Sequence, residues 1–296
     1  MTNLNAASIA KAMDAIEDGD ITAALRQCNE ALAQDPNNPQ WLRVAGIGML
    51  AGGQNADAAA LLDKASHFDP TLPGIYRDLG WALFLSGDST KAAEALGKAA
   101  ELDPEDADTA ARHGAVLDDC GLHQDARTSL ENAIRLEPEN ADFVTALGEC
   151  LNRGQLHDEA LKRFEEASNL DPQHLGALYG RGVSLSHLGR AEEALPVFQV
   201  LLPQASRSAD LWHQTGKALY LLEEFEQARR ALGNAIRLRN DHGETHLYLA
   251  GALARLGEEH ADDAVASFAR AATLLFDDPK AEIPLALAQA RDWKDD

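Results

Sequence analysis

One spacing in this chain could hold a metal. His242-Gly-Glu244-Thr-His246 sets two histidines four residues apart, a separation at which one helical face offers both rings to a cation. The glutamate does not stand where a metalloprotease base would. His246 also falls where an early packed aromatic recurs elsewhere in the chain, so a packing role is expected for it. Gly46-Ile-Gly48-Met-Leu-Ala51 has the glycine spacing of a dinucleotide loop, but it lies inside a helical pattern with no strand before it. Cys28, Cys120 and Cys150 have no CxxC spacing and read as reduced, structural thiols. There is no phosphate loop, nucleophile elbow or clustered Cys/His set. The expectation is a protein that is not an enzyme, with no catalytic residue, metal or cofactor.

The elements that would position any such residue repeat. Residues 73–106 hold two amphipathic helical patterns, a Gly87-Asp88 turn between them and an Asp103-Pro104 stop. Shifted by 34 residues, Gly80 recurs as Gly46, Gly114, Gly148, Gly182 and Gly216. Ala92 recurs as Ala24, Ala58, Ala126, Ala160, Ala194 and Ala228, and Pro104 as Pro36, Pro70, Pro138 and Pro172. A fixed period of this size in a helix-turn-helix unit predicts a solenoid. Two short antiparallel helices cannot bury an apolar face alone, so each unit needs neighbours. Gly80, Ala92 and Ala99 permit close backbone approach, and Leu79, Leu83 and Leu96 fill the space between. Gly87-Asp88 supplies a helix stop and then an N-cap, and the residue before Pro104 leaves the α region.

The unit resembles the tetratricopeptide repeat, with Tyr76, Leu79, Gly80, Leu83, Ala92, Leu96, Ala99 and Pro104 at the eight signature places of that family. The resemblance implies an all-α, right-handed solenoid of about eight repeats forming a single domain over 1–296. The repeats run 5–38, 39–72, 73–106, 107–140, 141–174, 175–208, 209–242 and 243–278, with a capping helix near 281–294. Pro196 falls inside the second helix of the sixth repeat, early enough to be tolerated. The eighth repeat has a turn lengthened by two residues around Glu258–His260.

The resemblance also implies that the first helix of each repeat lines a concave groove. In the second and third repeats the groove-lining places hold Arg43, Val44, Ile47, Leu50, Arg77, Asp78, Trp81, Phe84 and Leu85, an apolar floor beside two arginines. The fourth and fifth supply Asp118, Asp119, Glu149 and Asn152, a net acidic patch. The sixth and seventh supply Tyr179, His187, His213, Lys217 and Tyr220. Tyr76, Leu79 and Leu83 already fill the packing places of the third repeat. Trp81 and Phe84 are therefore expected to face the groove, the composition of a binding hot spot. Co-chaperone members of the family clamp a terminal carboxylate with a lysine, asparagine and arginine set. The matching places here hold Val44, Ile47, Asp78 and Trp81, so the chain departs from that clamp.

Composition narrows the partner. The formal net charge is −22, with 48 acidic against 26 basic residues, which argues against nucleic acid and anionic membranes. No apolar run approaches the ~18 residues of a membrane span, and the N-terminus lacks a basic region followed by an apolar core, so no secretory signal is expected. The expected function is a cytoplasmic adaptor or scaffold that binds a peptide or protein segment of basic and apolar character in its groove. Alternatives are a chaperone for a secreted or assembling subunit, the recruiting partner of a separate glycosyltransferase or sulfotransferase, and self-association into a scaffold.

Overall fold

The structure is a computed structural model that describes residues 2–275. The capping helix expected near 281–294 lies outside the described residues. Among these, every long element is an α-helix. The helices come in antiparallel pairs that follow the period: α1 (Thr2–Glu17) with α2 (Ile21–Gln34), α3 (Pro39–Ala51) with α4 (Asn55–Phe68), and α5 (Pro73–Leu85) with α6 (Ser89–Leu102). Then come α7 (Ala107–Asp119) with α8 (His123–Leu136), the successive helices α9 (Ala141–Arg153) and α10 (His157–Leu170), and α11 (Leu175–His187) with α12 (Ala191–Leu201). The last are α13 (Ala209–Leu221) with α14 (Phe225–Leu238), and α15 (Gly243–Leu256) with α16 (Ala261–Leu275). A single 3₁₀ turn, Glu258–His260, fills the lengthened eighth turn.

Contacts group the chain into two compact units, one ending at Gly154 and the other starting at Gln155. Within the first, each helix packs on the next, and the first helices α1, α3, α5, α7 and α9 also touch one another in order. Within the second, α11, α13 and α15 do the same.

The periodic small residues act as the spacing requires. Ala24, Ala58, Ala92, Ala126, Ala160, Ala194 and Ala228 are all fully buried. A methyl placed on Gly80 would sit 2.5 Å from Leu96 Cγ and 3.0 Å from the Ala92 carbonyl oxygen. The same collision recurs at Gly114 with Leu130 and at Gly216 with Leu232. Helix ends are equally regular. Asp20, Asn38, Asp88, Asp106, Asn140 and Ser208 each accept a hydrogen bond from a first-turn amide.

Each inter-helix turn of the first seven repeats puts one residue in the left-handed region, again every 34 positions. It is Gly19, Gly53, Gly87, Gly121 and Gly189, but Gln155 and Glu223 (both φ 62°) in the fifth and seventh. Pro196 is the sixth residue of α12, in its second turn, within the early stretch expected for it. This helix has 11 residues where most second helices have 14; it starts in register but ends at Leu201, two residues before Pro203, which has no amide to extend it.

Candidate protein-binding face

The first helices of the N-terminal unit carry an ordered ladder of charge. Arg43 on α3 donates through Nε to Asp78 on α5 at 2.6 Å. Arg77 on α5 donates through Nη1 to Asp106, the cap of α7, at 2.8 Å, and its Nε lies 3.5 Å from Asp78. Arg112 pairs within α7 with Asp108 at 2.8 Å. Each rung of the first two links one repeat to the next. These groups are partly buried, with Asp78 14% and Arg77 29% exposed. Burial opposes charging Arg77, but Asp78 and Asp106 outweigh it and hold the guanidinium above its ordinary range. Burial likewise works against Asp106, yet hydrogen bonds from Thr109 and Arg77 bring its carboxyl below the usual value. The two arginines expected to flank the groove floor are thus neutralised by the protein itself.

Trp81 sits half-buried beside this ladder. The Arg112 guanidinium lies over its ring at 4.7 Å from the centroid, within cation–π range. Phe84 lies 5.4 Å away, tilted by 32°. The structure separates the expected pair. Phe84 packs against the buried cluster of Ala92, Leu96 and Val116 and contributes to the seam between the third and fourth repeats. Val116 of the neighbouring α7 lies in that cluster, a contact outside the packing places Tyr76, Leu79 and Leu83 of a single repeat. Leu50 is corrected in the same way: it packs on the cluster of Ala58, Leu62, Leu79 and Ala82. Val44 is 3% exposed and belongs to the core. Ile47 is half-buried.

Within the acidic patch expected in the fourth and fifth repeats, Asp118 is corrected. Asp118 is 4% exposed and cannot meet a basic partner. Its carboxylate accepts from the Arg153 guanidinium and lies 2.7 Å from His123 Nδ1. A buried carboxylate needs such counter-charge, and the spacing of Arg153 from Asp118, one period plus one, matches that of Asp78 from Arg43. That signal was present in the sequence. Cys150 lies beside them, its Sγ 3.5 Å from the His123 carbonyl oxygen. Asp119 is exposed and accepts from Ser89 Oγ at 2.6 Å, while Glu149 is exposed and Asn152 half-buried.

In the C-terminal unit the predicted residues join a polar and aromatic cluster. Lys217 on α13 reaches Glu244 on α15 at 3.2 Å and lies 5.4 Å from the Tyr248 ring centroid. Tyr220 meets Tyr248 and Phe225 edge-on at 5.4 and 5.7 Å. His213, expected at the surface, is 3% exposed; its Nδ1 is 3.0 Å from Thr245 Oγ1 and its ring 4.7 Å from His242. Its Nε2 faces Glu244 Oε2 at 3.5 Å. His213 more than Lys217 holds the Glu244 carboxyl down to about 2, against the opposing effect of burial. Tyr179 packs against Phe198, and burial pushes its hydroxyl up to about 12. The two histidines of the metal spacing are engaged separately, His242 with Thr245 Oγ1 at 2.6 Å and His246 with the Asn240 carbonyl at 3.0 Å. His246 is 8% exposed, the packing role expected of it. Gly46 and Gly48 lie within α3, as the helical pattern required.

Comparison with known families agrees with this register. Family profiles described as tetratricopeptide repeat match residues 15–70, 74–106, 117–167 and 156–209. The chain belongs to the tetratricopeptide repeat family. No curated protein matches the sequence. Solved structures do. The tetratricopeptide helices resemble the crystal structure of the MamA protein at 28% identity and a TM-score of 0.51, over 58% of this chain and 94% of that one. The APC/C hetero-tetramer Cut9–Hcn1 gives a TM-score of 0.69 at 16% identity, over 92% of this chain and 52% of that one. YrrB, described as a TPR protein with an unusual peptide-binding site, gives 0.50 at 21% identity over 69% and 96%. Tetratricopeptide proteins bind other proteins or peptides, and the fold is typically a non-catalytic scaffold. No helix among the described residues is long and apolar enough to cross a membrane.

Proposed function

We propose that this protein is an adaptor whose first-helix face in the N-terminal unit binds an extended or helical segment of another protein. The observation that carries the reading is the half-buried Trp81 with Arg112 laid over its ring. An indole held by a cation on one side offers a rigid apolar platform at low entropic cost to a ligand. Neighbouring arginines are already paired, so a partner gains little from carboxylates at that place. An apolar anchor is the chemistry the platform takes, with basic residues outside it meeting the acidic surface that the net charge of −22 implies. Three free thiols, Cys28, Cys120 and Cys150, suit a reducing compartment such as the cytoplasm.

The test is Trp81→Ala alone, because Phe84 also packs on the seam between the third and fourth repeats and its loss would confound binding with stability. With a partner recovered from native lysate and then purified, calorimetry should show a loss of about 2 kcal/mol or more, near thirtyfold in affinity. Equal affinity for wild type and Trp81→Ala, with unchanged circular dichroism, would remove the platform from the binding site.

A further inference from the structure

Three side chains outside the Trp81 platform converge at the turn of the fourth repeat. The Asp118 carboxylate, a ring nitrogen of His123 and Cys150 Sγ all lie within 4.8 Å of one another. Asp118 lies in the last turn of α7, His123 begins α8 and Cys150 lies in α9, all inside the N-terminal unit. Asp118 is 4% and Cys150 2% exposed, and His123 is half-buried.

Repeat packing does not demand this set. In the matching places of neighbouring repeats stand Leu50, Phe84, Asn152, Ser186 and Tyr220 for Asp118, and Gly48, Ala82, Val116, Ser184 and Ala218 for Cys150, so none of them has a carboxylate in the first place or a thiol in the second. A carboxylate buried there is costly unless a cation meets it. Arg153 meets Asp118 now, but its side chain is 56% exposed and reaches in from solvent.

The donors are one sulfur, one nitrogen and one oxygen, a borderline-soft set that suits zinc-like ions rather than calcium or magnesium. Metal–ligand bonds of about 2.0–2.3 Å place tetrahedral donors roughly 3.3–3.8 Å apart, so the widest separation here must close by about 1 Å. We propose that Asp118, His123 and Cys150 form a site for a zinc-class divalent transition metal, with Arg153 neutralising Asp118 in the metal-free protein. Metal entry exchanges one cation for another at the same carboxylate. The Cys150 thiol gives its proton to solvent as its sulfur coordinates, and water completes the tetrahedron. The bound ion cross-links α7, α8 and α9. This site does not depend on the peptide-binding reading.

Cobalt(II) added to the reduced, chelator-free full chain tests the site. Wild type should bind one Co²⁺ per chain, with tetrahedral d–d bands and a thiolate-to-cobalt charge-transfer band that Zn²⁺ displaces. Cys150→Ser should abolish the charge-transfer band, whereas Cys28→Ser and Cys120→Ser keep it. Asp118→Asn should weaken Co²⁺ binding at least tenfold. Because that variant could misfold, Arg153→Gln provides the second arm: it keeps every ligand, removes the competing cation and should bind Co²⁺ as tightly as wild type or more so. The proposal is overturned by no thiolate band in wild type, by a band that survives Cys150→Ser, by unchanged affinity in Asp118→Asn, or by loss of the band in a natively folded Arg153→Gln.

Discussion

At single residues, charge is what distinguishes this array. Glu244 titrates far below the ordinary carboxyl value because His213, and after it Lys217, favour the anion. A carboxyl depressed from 4.5 to about 2 adds stability above its unfolded pKa and loses it as pH falls through that window. His242 shifts the other way in charge but the same way in consequence. Burial, then His213 and Arg239, lower its pKa below 6.5, so the neutral ring is favoured. That contribution is complete above pH 6.5 and declines below it. Melting temperature measured against pH should therefore fall in two stages on acidification. His242→Gln should flatten the first and Glu244→Gln the second. Unchanged profiles in both variants would show that the cluster is not coupled to folding. Since Glu244 is 43% exposed, solvent screens the second stage and it should be the shallower.

At the level of the helix pair, two features set stability, and each predicts a sign. In Gly80→Ala, helix propensity gains about 1 kcal/mol. The added methyl, however, meets Leu96 Cγ at 2.5 Å and a backbone carbonyl at 3.0 Å, and overpacking of this kind costs about 1–3 kcal/mol. Net destabilisation by urea unfolding is expected, and stabilisation would show that the seam can open at no cost. The turns predict the opposite sign. Gln155 and Glu223 hold the left-handed conformation that glycine holds in the matching turns, a strain of about 1–2 kcal/mol for a residue with a Cβ. Gln155→Gly and Glu223→Gly should each stabilise by about 0.5–1 kcal/mol, since the added entropy of the unfolded chain offsets part of the gain.

For the molecule as a whole, a net charge of −22 on 296 residues means self-repulsion among its surface charges. Salt screens it within about 10 Å at 0.1 M. Raising sodium chloride from 20 to 200 mM should raise the melting temperature by roughly 2 °C for each kcal/mol of repulsion relieved. The same salt should weaken capture of a basic partner chiefly through its on-rate. A melting temperature that falls with salt would mean the ladder of ion pairs outweighs the general repulsion. Because the helices of one repeat contact those of adjacent repeats, substitutions two repeats apart in one unit should add.

The 34-residue recurrence of glycine, alanine and proline was enough to determine the helix pairs, their boundaries and the seams between them, because those depend on nearest-neighbour spacing alone. It could not assign which first-helix side chains are left for a partner. Trp81 and Phe84 are three residues apart on one helix, yet one ring packs on Val116 of the following repeat while Arg112 lies over the other. Asp118 and Asp119 are adjacent, yet one is buried under Arg153 and the other is exposed. Such choices turn on residues roughly 30 positions away meeting in space. Only the packed structure, where desolvation and counter-charge are set together, decides them.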